Sequence, residues 1–254
     1  MNIVVIGGNG LVGRNVVRKL RDQGHDVISA SRATGVDIIT GEGLDGALAA
    51  RDVVVDASNA EAPFGEDSYA FFATGTRNLL AAALRAGLGH YVSISVVGTE
   101  RLVDSSYFRG KAEAEAMIRT SGIPYTILHA TQFHEFLVMI VEAAVANQVL
   151  RLSPAWIQPV ASSDVAEAMA FIATDQPYNG TVELAGPERE RMCDLVRRFV
   201  GDMEAPFEVV ADPTAPYFGA TLSDDSLVPR GDAQCCTIGF DAWLKRSEYA
   251  RANW

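Results

Sequence analysis

The stretch Met1-Asn-Ile-Val-Val-Ile-Gly-Gly-Asn-Gly-Leu-Val-Gly-Arg14 decides the fold. Its unbroken apolar run, Ile3, Val4, Val5 and Ile6, reads as a strand buried on both faces. The run ends in Gly7, Gly10 and Gly13 at G-x-x-G-x-x-G spacing, and the amphipathic segment Asn15-Val-Val-Arg-Lys-Leu-Arg21 follows at once. Glycine is needed where such a turn goes left-handed, where backbone approaches a pyrophosphate, and where the helix packs on the strand. The helix start then offers free N–H groups and a positive dipole end to phosphate. Gly7, Asn9, Gly10, Leu11, Val12 and Gly13 are therefore candidate phosphate contacts. A tight glycine turn without a ligand uses the same residues; the strand before it and the helix after it favour the phosphate reading.

Outward from that stretch, strands alternate with helices. Gly24 stops the first helix, and Asp26–Arg32 reads as a second strand. Gly35–Ile39 reads as a short third strand, 43–51 as a short helix and Asp52–Ala57 as a fourth strand. A long alanine- and leucine-rich helix spans 67–86, and His90–Ser95 is a fifth strand. A helix over 107–121 ends at Gly122 and Pro124, and Tyr125–His129 is a sixth strand. This alternation implies right-handed crossovers and an α/β fold with a doubly wound parallel sheet.

From about residue 148 the elements shorten. Strands are expected at Val149–Leu152, Pro159–Ala161 and Thr181–Leu184, with two helices, one opening at Asp164 with Glu167 as a capping box. The segment from Pro213 to Asp232 is rich in Pro, Gly and Asp and reads as loop. The expected division is a dinucleotide-binding core over 1–147 and a smaller substrate-binding lobe over 148–254, laid on the sheet's carboxyl edge.

The composition narrows the partners. The 254 residues are 48% hydrophobic and 21% charged, enough to bury a full core. A formal net charge of −11 repels nucleic acid and anionic membrane, so neither is an expected partner. Cys193, Cys235 and Cys236 form neither a disulfide framework nor a zinc spacing, which fits a reducing cytoplasm. No His, Asp, Glu and Cys cluster has metal-ligand spacing, so no metal is expected. Met1 leads into the first strand without a basic segment, and Phe136–Val145 is too short to span a bilayer and carries Glu142. The expectation is a soluble cytoplasmic protein, monomer or homodimer, acting on a small-molecule substrate.

The end of the second strand selects the dinucleotide. An acidic residue there accepts from the ribose 2′-OH and marks NAD. This chain has Ser31-Arg32 instead, with Arg14 just after Gly13. A guanidinium pairs bidentately with a 2′-phosphate, whereas a carboxylate repels it, so NADP(H) is the expected cofactor. Arg32 as a solvated loop charge is the other reading. Asp37 is a candidate adenine contact, and Ser58 with Asn59 would flank the ribose side of the pyrophosphate.

Tyr107-Phe-Arg-Gly-Lys111 sets a phenol and an ammonium four apart on one helix face, a stripe that Ala114 and Ile118 continue inward. Ser95 ends the fifth strand, twelve residues before the tyrosine. An adjacent ammonium, and a positive nicotinamide ring, would lower the phenol pKa from about 10 and suit it to acid–base work. The lysine would also hold the nicotinamide ribose, and the serine would orient the substrate oxygen. The pattern also fits a Tyr107 that only packs while Lys111 alone serves the cofactor. His129 and His134 flank the end of the sixth strand, as substrate contacts or as structural histidines. Phe133, Phe136, Trp156, Tyr217 and Phe218 would line a substrate pocket or belong to the core.

The chain resembles the NmrA-like, NAD(P)H-binding group of atypical short-chain dehydrogenases/reductases along nearly its whole length. The resemblance is carried by Gly7-Gly-Asn-Gly-Leu-Val-Gly13, Tyr107-Phe-Arg-Gly-Lys-Ala-Glu-Ala-Glu115 and Ser121-Gly-Ile-Pro-Tyr-Thr-Ile-Leu128. Ala130-Thr-Gln-Phe133 and Gln158-Pro-Val-Ala-Ser-Ser-Asp-Val-Ala166 add to it. It implies a Rossmann-type fold binding NADP(H), with Lys111 at the nicotinamide ribose and the Ala130–Phe133 segment, Thr131 within it, beside the nicotinamide. The group holds quinone and enone reductases, reductases that rely on the lysine, and cofactor-sensing regulators without turnover. The chain departs from it at Asn9, where relatives commonly carry Thr, and at His129, where they often carry Arg. An NADPH-dependent reductase of a small carbonyl, quinone or enone compound, with Tyr107, Lys111 and Ser95 in the chemistry, is the reading these features favour. A redox sensor acting through a protein partner is the rival.

Overall fold

A computed structural model of the chain describes residues 1–61, 65 and 67–247. The first half runs β1 (Asn2–Ile6), α1 (Gly13–Asp22), β2 (Asp26–Ala30), α2 (Leu44–Leu48), β3 (Val53–Asp56), α3 (Ser68–Ala86), β4 (His90–Val96), α4 (Ser106–Thr120) and β5 (Tyr125–Ala130). The second half runs α5 (Leu137–Ala144), β6 (Val145–Ala146), β7 (Val149–Leu152), β8 (Trp156–Ile157), α6 (Ser162–Thr174), β9 (Gly180–Ala185), β10 (Glu190–Arg191), α7 (Met192–Asp202), β11 (Glu208–Ala211), β12 (Gln234–Cys235) and α8 (Phe240–Leu244).

The apolar run in β1 is buried on both sides because both faces of the sheet are covered. Ile3 and Val5 join Val16, Val17 and Leu20 of α1 and Val165 and Met169 of α6. Val4 and Ile6 join Leu79, Leu80 and Ala83 of α3 on the other face. Each such side chain contributes about 1.5–3 kcal/mol on burial, which holds the strand between the two helical layers. The sheet has seven parallel strands in the order β12-β9-β5-β4-β3-β1-β2. The chain steps from β1 to β2 and then crosses back to β3, so the order reverses beside β1. The crevice that opens at the carboxyl ends there is where such sheets bind ligands.

The expected strand at Gly35–Ile39 is a turn. Gly35, Gly41 and Gly43 have φ of 81°, 82° and 73°, and the Asp37 carboxylate accepts from the Ile39 N–H at 2.7 Å. That side-chain bond takes a donor an extended strand would need, while Val36 and Ile38 still bury against the α3 face. The expected fourth, fifth and sixth strands are accordingly β3, β4 and β5. At Pro159–Ala161 only Val160 pairs, in a single bridge to Phe133; Pro159 has no N–H to give, and the ladder forms earlier, between β8 and β10. Helix α6 opens at Ser162, two residues before the expected Asp164. The Ser162 hydroxyl donates to Glu135 at 2.6 Å, and Glu167 pairs with Lys19 of α1 rather than capping its own helix.

Past residue 147 the chain both forms a lobe and returns to the core. Strand β9 pairs with β5 and carries β12 outside it, and α6 packs on the α1 face, so 162–185 belong to the main layers. The lobe proper contains the small sheet β11-β7-β6 and α5, α7 and α8, around Leu150, Leu195, Phe199 and Phe240. Tyr107 and Phe108 from the start of α4 share that core, which seats the lobe at the carboxyl edge of the sheet. The 213–232 segment is largely loop, as the composition implied. Among the described residues no helix is long and apolar enough to cross a membrane.

Candidate functional site

The three glycines of the first turn do different work. A Cβ on Gly7, whose φ is 71°, would lie 2.6 Å from the Ala57 carbonyl oxygen, and one on Gly13 would lie 2.2 Å from that of Gly7. Both are dictated by the packing of the loop itself. A Cβ on Gly10 meets only the Gly7 carbonyl, at 3.2 Å, and Gly10 lines a cavity. Glycine there keeps a notch open for what the cavity receives. Beside it, the N–H groups of Leu11, Val12 and Gly13 have no acceptor among the described residues, as expected of a helix start shaped for an anion. Asn9 pins the loop to the end of β2. Its amide donates to Ser31 Oγ at 2.8 Å and its carbonyl accepts from Ser29 Oγ at 2.9 Å.

Two cavities open at the crevice and share Gly7, Ser31, Ser58 and Asn59. The larger, about 430 Å³, is lined by Arg32, Asp37 and Ile38 on one side and Asn59, Ala60 and Glu61 on the other. Arg32 is here, as its position after β2 implied, but it is ion-paired to Glu61 across the cavity. Glu61 escaped sequence reasoning because it comes from the loop after β3, far from Arg32 along the chain. Asp37 spends one carboxylate oxygen on its own turn, accepting from Ile39 and Thr40 N–H. Ser58 donates to Asp56 at 2.6 Å, and the Tyr91 hydroxyl donates to the other Asp56 oxygen at 2.9 Å. Arg14, the other basic residue noted beside the glycine loop, lines a separate cavity with Asn15, Glu135 and Ser162.

The smaller cavity, about 270 Å³, brings together the glycine loop, the end of β4, Tyr107 and Lys111 of α4, the Ala130–Phe133 segment and Tyr217 from the lobe. Ser95 and Thr131 line it too. Lys111 is 7% exposed, donates to the Ile94 carbonyl at 3.1 Å and sits 4.3 Å above the Phe72 ring. Burial pushes its ammonium down to about 8, against the opposing pull of the Asp56 and Glu115 charges. Tyr107 meets Phe72 and Phe108 edge-on, each at 5.3 Å between ring centres. Burial pushes its phenol up, contrary to the lowering expected from the lysine, because the phenolate would lose its hydration there. Tyr107 is thus held as the neutral phenol, not a phenolate.

Behind α4 lies a buried polar network that the sequence did not announce. Glu115 accepts from Ser95 Oγ at 2.5 Å, contacts His129 Nε2 at 2.8 Å and pairs with Arg119 at 2.7 Å. Burial alone would raise the Glu115 carboxyl, but the bonds from His129 and Ser95 and the nearby positive charges hold it below its ordinary value. The Ser95 proton is thus committed to Glu115, so Ser95 faces the cavity with lone pairs. The one clue in sequence was Glu115 four residues past Lys111.

His129 serves this network and does not line the cavity. His134 stacks on Trp243 at 5.2 Å, and burial pushes it down to about 4, so it is a neutral, structural residue. Of the aromatic set, Phe133, Phe136 and Tyr217 line the cavity. Trp156 lies elsewhere, under the Arg191 guanidinium at 3.9 Å, and Phe218 braces Tyr217 edge-on at 4.7 Å. Thr131 donates to the Gln158 carbonyl at 2.6 Å. Gln132, next to it, was missed: it is buried in the cavity wall with both amide atoms unpartnered among the described residues. Free helix-start N–H groups and the Gly10 notch are together suited to the pyrophosphate of a dinucleotide. Among the described residues no three metal-capable side chains cluster.

Residues 7–176 match the NAD(P)H-binding family, and the chain belongs to it. Among curated proteins it is 30% identical over 152 residues to the photosystem II assembly factor Ycf39 of Synechocystis, a match spanning 54% of this chain and 47% of that protein. It is 31% identical over 144 residues to the (4-alkanoyl-5-oxo-2,5-dihydrofuran-3-yl)methyl phosphate reductase of Streptomyces griseus, spanning 52% of this chain and 48% of the enzyme. Each match spans about half the length of the relative. Among solved structures, the NADPH complex of an Escherichia coli NADPH-dependent quinone oxidoreductase superposes with a TM-score of 0.63 at 20% identity, covering 83% of this chain and 78% of that one. A nucleoside-diphosphate-sugar epimerase from Staphylococcus aureus superposes with a TM-score of 0.67 at 17% identity, covering 84% and 80%. These two likenesses establish the Rossmann-type fold.

Proposed function

We propose that the chain is an NADPH-dependent oxidoreductase that reduces a small, uncharged carbonyl, quinone or enone compound by hydride transfer. The observation that carries the reading is the cavity that joins Tyr107 and Lys111 to the glycine loop. Gly10–Gly13 would hold the pyrophosphate of the dinucleotide, and the larger cavity would receive its adenosine. Arg32 meets the 2′-phosphate once it exchanges Glu61 for it, which favours NADP(H) over NAD(H). Lys111 is the one charged side chain among the described residues lining the smaller cavity. With its ammonium directed to the Ile94 carbonyl and the ribose, little remains to balance an anionic substrate, and the aromatic walls suit a flat, neutral one.

Bound NADPH supplies the hydride, from C4 of its nicotinamide to the electrophilic carbon. Lys111 holds the ribose hydroxyls. Tyr107, kept protonated by burial, donates its proton to the substrate oxygen as negative charge develops there, and Lys111, one turn away, favours the phenolate this leaves. Ser95 supports α4 through Glu115 and, with its proton committed there, has none to donate to the substrate oxygen, contrary to the orienting role expected of it. Phe108, Phe133 and Phe136 keep water from the reacting atoms.

The likeness to Ycf39 supports a second reading, in which the chain binds NADP(H) and acts through a protein partner without turnover. A panel of neutral quinones, enones and aldehydes, beside phosphorylated and carboxylated counterparts, separates the two by NADPH consumption. The reductase reading expects turnover with at least one neutral acceptor and little with its anionic counterpart. Tight NADP(H) binding with no acceptor consumed would favour the sensor.

A further inference from the structure

We infer that Gln132 holds the carboxamide of the nicotinamide, amide against amide, and so sets which face of the ring meets the substrate. The inference rests on the dinucleotide reading of the crevice. Gln132 is 5% exposed, and neither Nε2 nor Oε1 has a partner among the described residues. It lines the same cavity as Tyr107 and Lys111. Its flanks are fixed: the Thr131 hydroxyl donates to the Gln158 carbonyl, the Gln132 carbonyl accepts from the Val160 N–H at 2.9 Å, and Phe133 is bridged to Val160. The segment is held while its one polar side chain is unspent.

A buried amide with neither atom paired is costly, and in a built site it signals a partner that arrives from the cavity. The partner's chemistry follows from what Gln132 offers, a donor and an acceptor side by side in one plane. A quinone, enone or phosphate oxygen only accepts, so it would satisfy Nε2 and leave Oε1 bare. A carboxamide presents the same pair reversed and satisfies both atoms at once. Holding that group fixes the rotation of the nicotinamide ring, which decides the face of C4 turned toward Tyr107. Gln132 is thereby a cofactor-binding residue that orients the ring.

The test measures binding to wild type, Gln132→Leu and Gln132→Met of three probes: NADP⁺, its 3-acetylpyridine analogue, in which a methyl ketone replaces the carboxamide, and 2′,5′-ADP, which has no nicotinamide. Wild type should bind the analogue about tenfold more weakly than NADP⁺, the loss expected for one buried hydrogen bond left unmade. Both variants should bind NADP⁺ about tenfold more weakly, bind 2′,5′-ADP within about twofold of wild type and lose the discrimination between NADP⁺ and the analogue. Their melting temperatures without cofactor should equal or exceed that of wild type, because an unpaired buried amide has been removed, while the rise on adding NADP⁺ shrinks. Unchanged NADP⁺ affinity with intact discrimination overturns the inference, as does unchanged affinity with a raised KM, which would give Gln132 to the substrate. A wild type that binds neither 2′,5′-ADP nor NADP⁺ overturns the dinucleotide reading itself.

Discussion

The two ends of the smaller cavity are built from different material. The phosphate end is backbone: N–H groups at the start of α1 and a notch at Gly10, all within fourteen consecutive residues. The other end is side chains, brought together from α4, the exit of β5 and a loop of the lobe that lies 110 residues past Tyr107. A backbone site depends on local conformation and tolerates any side chain that keeps it. A side-chain site depends on what buries each group, and burial, not motif, sets its chemistry: Tyr107 is pushed up and Lys111 down by the same desolvation.

The sharpest contrast is expected from Lys111. Lys111→Met should lower kcat/KM on the order of 10²–10³-fold, through the ribose and the Tyr107 proton together, in steady-state NADPH oxidation. In the unsubstituted chain, kcat/KM should fall as pH rises through about 8, where the buried ammonium loses its proton. The sign for stability is opposite. The unfolded chain keeps that proton up to about 10.5 while the folded chain has released it, so this group's contribution to stability rises with pH between those values. Activity falling while the melting temperature holds across that window would separate the two effects, and a flat kcat/KM up to pH 10 would contradict the burial of Lys111.

Within the backbone end, the glycines should split. Gly13→Ala drives a Cβ into the Gly7 carbonyl and should cost about 2–4 kcal/mol, seen as a melting temperature lower by roughly 5–10 °C together with lost NADPH binding. Gly10→Ala, whose Cβ meets only the Gly7 carbonyl oxygen, at a tight 3.2 Å that a shift of a few tenths of an ångström relieves, should weaken NADPH binding about tenfold while the melting temperature moves by no more than about 2 °C. Equal destabilisation by both would make the loop a packing device rather than a cradle. The smallest effect belongs to Arg32, which is exposed and already paired with Glu61. Arg32→Asp should lower the preference for NADPH over NADH by about tenfold, and Glu61→Gln should raise it a few-fold. A preference untouched by Arg32→Asp would remove this residue from the 2′-phosphate.

What the sequence made legible follows the same division. The four apolar residues of β1 and the glycine spacing were enough for a doubly covered first strand and the phosphate end, because they encode local geometry and two-sided burial. Tyr107 and Lys111 were legible as a helical i, i+4 pair, but their protonation was not, since it depends on Phe72 and Phe108 closing over them. Gly35–Ile39 was misread because its apolar residues bury as they would in a strand, while the Asp37 side chain takes over the backbone bonding. Glu61, Glu115 and Gln132 were not legible. Glu61 and Glu115 gain their pairing from partners distant in sequence, and although Glu115 follows Lys111 by one turn and Gln132 stands in the Ala130–Phe133 segment, neither the network nor the unpaired amide shows in the neighbouring residues.

The central claim is that a protonated Tyr107 delivers the proton at a site where the dinucleotide is held by other groups. Tyr107→Phe tests it most directly, by kcat for NADPH oxidation alongside the NADPH Kd. The account predicts kcat lower by on the order of 10²-fold with Kd within about twofold. Undiminished turnover at unchanged Kd would contradict it and leave the chemistry to Lys111 alone.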